Sequence, residues 1–469
     1  MGLDLAVGGG NTQGVALGVL DLDGDGSPEI LIANGKSNLS GVSWDSSLWQ
    51  NDGSGNFTDA TVSSGLNGVL AGRDLYSVAA GDIDDDGDPD LYLGSQPTNL
   101  LLENLGGLRF RDITTQWGAE AALSDPSLAV EGRSKLVSIG DFDGDGALDL
   151  LSATSTQPPP GATLLRNIGS GFEDWTAASN LSTHPVGNPC AAMFTDYDND
   201  GLSDLWVWND QGGHTLLHQR DSIWQTLGNS ADGVVIGNPM GIDGADIDHD
   251  GDLDYYISSI GLHPLLINDG FGAFSEESEA RGTTGDYGWG LGFEDFDRDS
   301  WPDLFVAQED DRPWLAYHNQ GGRFSRSDWP HPAVLDPEQA HNTPAAFADI
   351  DGDGRVDVVA ANTDGSPITV LLNRTEPAGH WLDVVVLRAP STGQYGGVGV
   401  RIALKTGDGV QFRDISGGAS RASQSELSAR FGLGEWDGAE WVVALWPDGR
   451  QIVRTGVPGD GKLLLDGAE

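Results

Sequence analysis

Short apolar runs recur along this chain in pairs, and nine mostly polar residues separate the members of each pair. Val15-Ala-Leu-Gly-Val19 stands before one such stretch and Glu29-Ile-Leu-Ile-Ala33 closes it. Leu136-Val-Ser-Ile139 precedes another, and Asp303-Leu-Phe-Val-Ala307 closes a third. Runs of four to six residues bounded by Gly, Asn and Asp read as strands joined in hairpins. Further on comes a leucine or tyrosine, an asparagine two residues later, and a phenylalanine beyond a turn. The clearest cases are Leu102, Asn104 and Phe110; Leu165, Asn167 and Phe172; Leu266, Asn268 and Phe274; and Tyr317, Asn319 and Phe324. These supply a third and a fourth strand. The repeats contain no amphipathic segment of helical period and length.

The polar stretches begin at residues 21, 82, 141, 196, 246, 295 and 349, so successive steps are 61, 59, 55, 50, 49 and 54 residues. A period of this size suits a four-stranded unit and exceeds that of ankyrin or leucine-rich repeats. Seven sheets set radially give an all-β, seven-bladed β-propeller, an arrangement that hides strand edges. The seventh unit has its loop, two strands and a third run at Ile368-Thr-Val-Leu-Leu-Asn373, but lacks the closing phenylalanine strand. Gly2-Leu-Asp-Leu-Ala-Val7 precedes the first unit without a unit of its own. That N-terminal strand is expected to complete the seventh sheet and close the ring. The alternative is a frayed N-terminus and an incomplete last unit.

Every polar stretch places carboxylates at its positions 1, 3, 5 and 9, usually with Gly at 6. The residues are Asp21, Asp23, Asp25 and Glu29; Asp82, Asp84, Asp86 and Asp90; Asp141, Asp143, Asp145 and Asp149; Asp196, Asp198, Asp200 and Asp204; Asp246, Asp248, Asp250 and Asp254; Asp295, Asp297, Asp299 and Asp303; and Asp349, Asp351, Asp353 and Asp357. Hard oxygen donors at alternate positions, wrapped by a turn that Gly permits, match what a Ca²⁺ ion of six to eight oxygen ligands requires. Up to seven Ca²⁺ ions are therefore expected, with the carbonyl at position 7 as a further ligand. Position 12, where an EF-hand carries a bidentate Glu, holds Ile32, Leu93 and Ser152 in the first three copies, which excludes that motif. The plainer reading of one copy is a solvated acidic turn; seven copies in register argue against it. The sixth loop, with Arg298 inside it and Ser300 in place of Gly, and the first, ending in Glu29, are expected to be weak or differently coordinated.

Formal charge is −48, from 72 acids against 24 bases, and seven dications would reduce it to −34. Such a surface repels nucleic acid and anionic lipid. No run of 18 apolar residues suggests membrane insertion. Cys190 is the single cysteine, so no internal disulfide forms. Cytosolic free calcium is too low to fill sites of ordinary affinity, so an extracellular or periplasmic location is expected. Met1 is followed at once by Gly2, Leu3 and Asp4 without a secretion signal, so the chain is read as a form lacking its leader.

The repeat stops near residue 376. New strands follow at Trp381-Leu-Asp-Val-Val-Val-Leu387, Gly399-Val-Arg-Ile-Ala-Leu404, Gln411-Phe-Arg-Asp-Ile415 and Glu440-Trp-Val-Val-Ala-Leu-Trp446. The expected division is a propeller over 1–375 and a small β-sandwich-like domain over 376–469. The acidic loops resemble FG-GAP/VCBS repeats, as in integrin α-chain heads. His380-Trp-Leu382, Gly396-Gly-Val-Gly-Val-Arg401, Ser423-Gln424, Phe431-Gly-Leu-Gly434 and Trp446-Pro-Asp-Gly-Arg450 resemble the ASPIC/UnbV domain. The whole is similar to propeller proteins of the cartilage acidic protein type. That resemblance implies calcium binding, secretion, and extracellular recognition or adhesion. Blade four departs from the pattern, with Leu217-His218-Gln219 where the asparagine phrase belongs.

Two functions follow. In the first the metals are structural, and the protein recognises an extracellular protein, carbohydrate or small molecule. In the second it is a calcium-dependent hydrolase, lyase or tailoring enzyme with a site in the central funnel opposite the loops. Funnel candidates are Arg133, Lys135, Asp243, His341, Tyr76 and Trp289, a mixture that acid–base work could use; the plain alternative is loop anchoring and blade packing. No Gly-x-Ser-x-Gly elbow, His-Glu-x-x-His or phosphate loop is present.

Overall fold

The computed structural model describes residues 15–34, 46–96, 98–121, 135–154, 161–184, 189–209, 213–225, 238–285, 287–308, 312–327, 342–362, 368–375, 379–389, 397–418, 420 and 422–467. The second repeat shows the unit. Strand Asp74–Gly81 pairs with Asp90–Gln96, that with Leu100–Asn104, and that with Phe110–Asp112, all antiparallel. Four-stranded sheets of the same order begin at Lys135, Pro189, Asn238 and Gly288. Three described strands, Asn342–Ala348, Asp357–Asn362 and Thr369–Leu371, form the seventh sheet. The expected closing strand at residues 2–7 lies outside the described residues.

Burial explains why the second strand of each sheet reads as a continuous apolar run. Both its faces are covered, by the preceding sheet on one side and the following sheet on the other. Glu29–Asn34 is buried at every position, whereas Phe110–Asp112, at the rim, buries only its phenylalanine. The core accordingly lies between sheets. Leu20 and Leu31 pack with Leu91 and Leu102, and six further clusters join each later sheet to the next. The last of these sets Leu17, Val19 and Ile30 against Ala346, Ala348 and Val359, so the seventh sheet packs on the first. Small residues keep the inner strands close: a Cβ on Gly292 would collide with the Phe347 ring of the next sheet.

A hydrogen bond repeated at every interface reinforces this packing. In six of the sheets an asparagine at or just past the end of the third strand donates its side-chain N–H to the carbonyl of loop position 2 in the preceding sheet. Asn104 reaches Leu22 O at 2.8 Å, Asn167 reaches Ile83 O at 3.1 Å, Asn268 reaches Tyr197 O at 2.7 Å, Asn319 reaches Ile247 O at 2.9 Å and Asn373 reaches Phe296 O at 2.8 Å. Asn51 of the first sheet reaches Ile350 O of the seventh at 2.9 Å. In blade four Gln219 makes the same bond to Phe142 O at 3.0 Å, its extra methylene keeping the amide in place.

Beyond residue 379, sheets of three and four strands enclose a separate core that includes Leu382, Val400, Ile402, Phe431 and Trp446. This part sits on the acidic-loop face of the ring. Lys462 Nζ donates to Gly26 O at 2.9 Å, Arg401 Nη2 to Asp196 O at 3.1 Å, and Gly434 N to Arg298 O at 3.1 Å. From it, residues 416–418, 420 and 422–426 enter the ring where the first strands converge. Gly417 O accepts from Ile139 N, Ala422 O from Leu17 N, Ser420 Oγ from Leu291 N, Gln424 Oε1 from Ala80 N and Ser425 Oγ from Phe347 N, while Ser420 N donates to Ile242 O. First strands of six sheets are tied to this one segment. Ser423–Gln424 also adds a short parallel strand beside Leu17 and Gly18.

Replacing Asn104 by Ala strips buried carbonyls of their donor, at about 1–3 kcal/mol for each group left unpaired. Urea unfolding of N104A should show a loss of about 2–4 kcal/mol at unchanged m-value. A loss within error of zero would mean that the bond adds nothing to blade packing.

Candidate metal centres

The acidic loops join the first and second strands of each sheet, and their first and last carboxylates are held by the fold. In the second loop Asp82 accepts the N–H groups of Asp86 at 3.2 Å and Gly87 at 2.9 Å, closing the turn on itself. Asp90 opens the next strand fully buried, accepting Ile83 N at 3.0 Å and Asn104 N at 2.8 Å. Thus one asparagine reads both its own sheet and the neighbouring one. Positions 4 and 6 take left-handed backbone: Gly87 has φ 103° and Asp85 φ 62°. Ser300 adopts φ 82° where the other loops have Gly, so the sixth loop keeps the shared shape at the cost of strain.

Between these anchors the remaining donors converge. Ligand atoms of Asp21, Asp23 and Glu29, of Asp82, Asp84 and Asp86, and of Asp141, Asp143 and Asp149 each lie within 4.8 Å of one another. Several buried carboxylate oxygens have no hydrogen-bond partner, among them Asp84 Oδ1, Asp248 Oδ1, Asp254 Oδ2 and Asp351 Oδ1. Burial and neighbouring carboxylates push many of the loop carboxyls up: Asp84 and Asp21 to about 6, Asp82, Asp141 and Asp246 to about 7, Glu29, Asp254 and Asp357 to about 8, and Asp90 to about 9. Crowded oxygen donors of this kind fit a hard dication, which would take up the orphaned oxygens and neutralise the cluster.

The loops are not equivalent, because in four of them the residue before the third-strand amide leans over its own loop, and in the fifth and seventh an arginine from further along the chain does so. In the first, Gln50 Nε2 donates to Asp23 Oδ2 at 3.0 Å. In the second that residue is Glu103, held by Arg111 Nε at 2.7 Å, so the loop gains negative surroundings. In the third, Arg166 spans Asp143 at 2.5 Å and Asp145 at 2.9 Å. The fourth and sixth carry His218 and His318. Arg281 reaches Asp248 of the fifth at 2.9 Å, and Arg374 covers Asp351 at 2.5 Å and Asp353 at 2.9 Å in the seventh. Arg298, expected to disturb the sixth loop from within, turns outward. Its guanidinium lies 5.6 Å from the Trp381 ring centre and donates to Asp353 O at 3.0 Å. Arginines thus guard the third, fifth and seventh loops, and Arg401 of the C-terminal part stands 3.8 Å from Asp196 of the fourth, a pattern hidden from a reading confined to the nine-residue phrases.

Of the funnel candidates, Arg133 and His341 lie outside the described residues, and Lys135 is described only in its backbone, at the start of strand Lys135–Gly140. Tyr76 is buried, and Trp289 O accepts from the Ser258 hydroxyl. Asp243 Oδ2 accepts Phe293 N at 2.8 Å. It borders a small cavity shared with Arg413, Ser420, Gln424 and Arg430, whose lining includes neither Tyr76 nor Trp289. The structure therefore sets Asp243 against the inserted segment and apart from those two aromatics.

The fold and its loops define a β-propeller built from acidic-loop repeats. The FG-GAP-like repeat family model matches residues 21–93, 82–152, 141–207 and 295–360, and the ASPIC and UnbV model matches residues 391–469. The chain belongs to the FG-GAP-like repeat family and carries an ASPIC and UnbV domain at its C-terminal end. Cartilage acidic protein 1 of Mus musculus is 26% identical over 94% of this chain, and that of Homo sapiens 25% identical over 97%. The chain spans 63% of the length of each of these curated relatives. The solved structure of BBS1N in complex with ARL6DN is 13% identical, with a TM-score of 0.47 over 80% of this chain and 97% of that one.

Without a cation, the loops bind protons more tightly folded than unfolded, since their first and last carboxyls lie above the ordinary value of 3.8 or 4.5. Stability from this source is complete at low pH and is lost as pH rises through about 6 to 9. Thermal unfolding in chelator should show Tm falling between pH 5.5 and 9, and millimolar Ca²⁺ should abolish the fall. A Tm flat or rising over that range in chelator would refute the account.

Proposed function

We propose that this chain is a Ca²⁺-stabilised recognition module acting outside the cytoplasm. The observation that carries the reading is the set of convergent loop carboxylates, several with buried oxygens that lack any partner. Asp84, Asp86, Asp82 and Asp90 would hold an ion in the second loop, and the corresponding residues would do so in the others. Bound Ca²⁺ supplies charge neutralisation and rigidity there, and the chain's own residues do the rest. The position-1 carboxylates close each turn, the position-9 carboxylates and asparagines tie it to two sheets, and residues 416–418, 420 and 422–426 fill the convergence of the first strands.

Extracytoplasmic calcium levels suit such sites, and the acidity of the chain favours a basic or neutral partner. The similarity to cartilage acidic protein 1 supports an extracellular role in recognition or adhesion. Among the described residues no helix is long and apolar enough to cross a membrane. A protein, carbohydrate or small molecule would bind on the ring surface left clear of the C-terminal part. A catalytic role for Asp243 would require it to face substrate, whereas its carboxylate is engaged by Phe293 N–H beside the inserted segment.

The second loop, with no guarding cation and Glu103 nearby, should hold Ca²⁺ most tightly. A site filled at 100 times its Kd adds about 2.7 kcal/mol of stability. Asp84→Asn should remove one Ca²⁺ equivalent by calorimetry and lower Tm in Ca²⁺, with the Tm in chelator unchanged or raised. Calcium-loaded wild type on glycan and extracellular-protein arrays should give binding that chelator abolishes. Unchanged stoichiometry in the variant would remove the metal assignment, and calcium-dependent turnover of an arrayed polysaccharide would favour the enzyme.

A further inference from the structure

The fourth loop departs from the others in its donor chemistry as well as its sequence. Its third strand ends in Leu217-His218-Gln219. Since Gln219 takes over the tie to the preceding sheet, His218 is left to face the loop. Its Nδ1 lies 3.1 Å from Asp198 Oδ2 and 3.2 Å from Asp204 Oδ1. His218 is 7% exposed, and despite these short approaches Nδ1 makes no hydrogen bond of acceptable geometry. Asp204 is wholly buried, and its Oδ2 has no partner, nor does Asp198 Oδ1. In the first, second, third, sixth and seventh loops the corresponding position-9 oxygen accepts the N–H of position 2, whereas in the fifth Asp254 Oδ2 is likewise unpartnered. The fourth loop adds to its buried oxygens a buried imidazole nitrogen.

We propose that Asp198, Asp204 and His218 form a mixed imidazole–carboxylate centre for a first-row transition dication, in place of a further Ca²⁺ site. Ca²⁺ takes oxygen ligands, whereas neutral imidazole suits zinc, iron, copper and nickel. The ligand atoms of the three residues already lie within 4.8 Å of one another, as ligands about 2.0–2.2 Å from a common ion must. The second imidazole nitrogen, Nε2, lies 3.8 Å from Asp200 Oδ2, and that carboxylate, drawn within hydrogen-bond reach, would set the ring's tautomer and orientation. The sixth loop offers an internal comparison. His318 sits similarly over Asp297 and Asp303, but its side chain is 26% exposed and its Nδ1 is hydrogen-bonded to Asp303 at 3.2 Å. The competing occupant at His218 is a proton, in which case the imidazolium itself would act as the loop's cation.

This inference rests on the reading of the loops as metal centres, and its test separates the two. Full-length protein, stripped with chelator and re-equilibrated in millimolar Ca²⁺, is titrated with Co²⁺ at pH 7.5. The expected result is one Co²⁺ per chain that Ca²⁺ does not displace, with a visible d–d absorption band. His218→Asn should lose that equivalent while binding Ca²⁺ at the other loops, and His318→Asn should retain it. Wild type loaded with one Cu²⁺ should show nitrogen hyperfine structure in its electron paramagnetic resonance, a readout independent of how any variant folds. Ready displacement of Co²⁺ by Ca²⁺, retention by H218N, or a Cu²⁺ spectrum without nitrogen coupling would each overturn the proposal. Failure of Ca²⁺ to bind anywhere, with one Co²⁺ held, would refute the calcium reading and leave this one standing.

Discussion

A buried amide side chain that must satisfy two sheets at once is the constraint on which this molecule turns. Each third-strand asparagine takes the position-9 carboxylate of its own loop through its backbone N–H and gives its side-chain N–H to the loop before it. Loop geometry and blade packing therefore cannot vary independently. A sheet that slipped relative to its neighbour would leave carbonyls and a carboxylate buried without partners, a cost of kilocalories rather than tenths. Because the last such bond runs from Asn51 back to Ile350, the constraint is circular, and no sheet stands at an end of the chain of ties.

That circularity also shapes the electrostatics. Seven clusters of like charge are brought into partly buried sites by packing that favours folding, and the fold accepts the repulsion because a proton or a cation relieves it. The relief differs from loop to loop. Arg166, Arg281 and Arg374 reach across three of them, imidazoles face two, and over the second leans Glu103, itself held by Arg111. One repeated backbone template thus carries a graded series of sites, tuned from the third strand or from residues beyond it and not from the loop.

Much of this was legible in the sequence. The spacing of carboxylates, the apolar runs around them and the asparagine–phenylalanine phrases locate the sheets, because each is a local consequence of strand alternation and turn chemistry. The resemblance of the tail to the ASPIC/UnbV domain was likewise carried by short local motifs. What was not legible depends on contacts across long separations. Gln219 read as a break in the pattern, yet a longer side chain performs the same task. Arg298 read as an intruder in its loop, yet it leaves for Trp381. Ser423 and Gln424 were visible as a motif, but nothing local says that the small residues around them enter the ring and meet the first strands of six sheets.

That inserted segment has a consequence for biosynthesis. The strands it joins precede it in the chain, with some four hundred residues between Leu17 and Ala422. Until the segment has been synthesised, backbone groups along the ring's interior, such as Ile139 N and Ile242 O, lack these partners and must stay hydrated. Any ring that forms before the segment arrives is therefore open and wet, and insertion of the segment dries it. A break in the chain after the last repeat would separate two parts that look independent in sequence, yet share one interior.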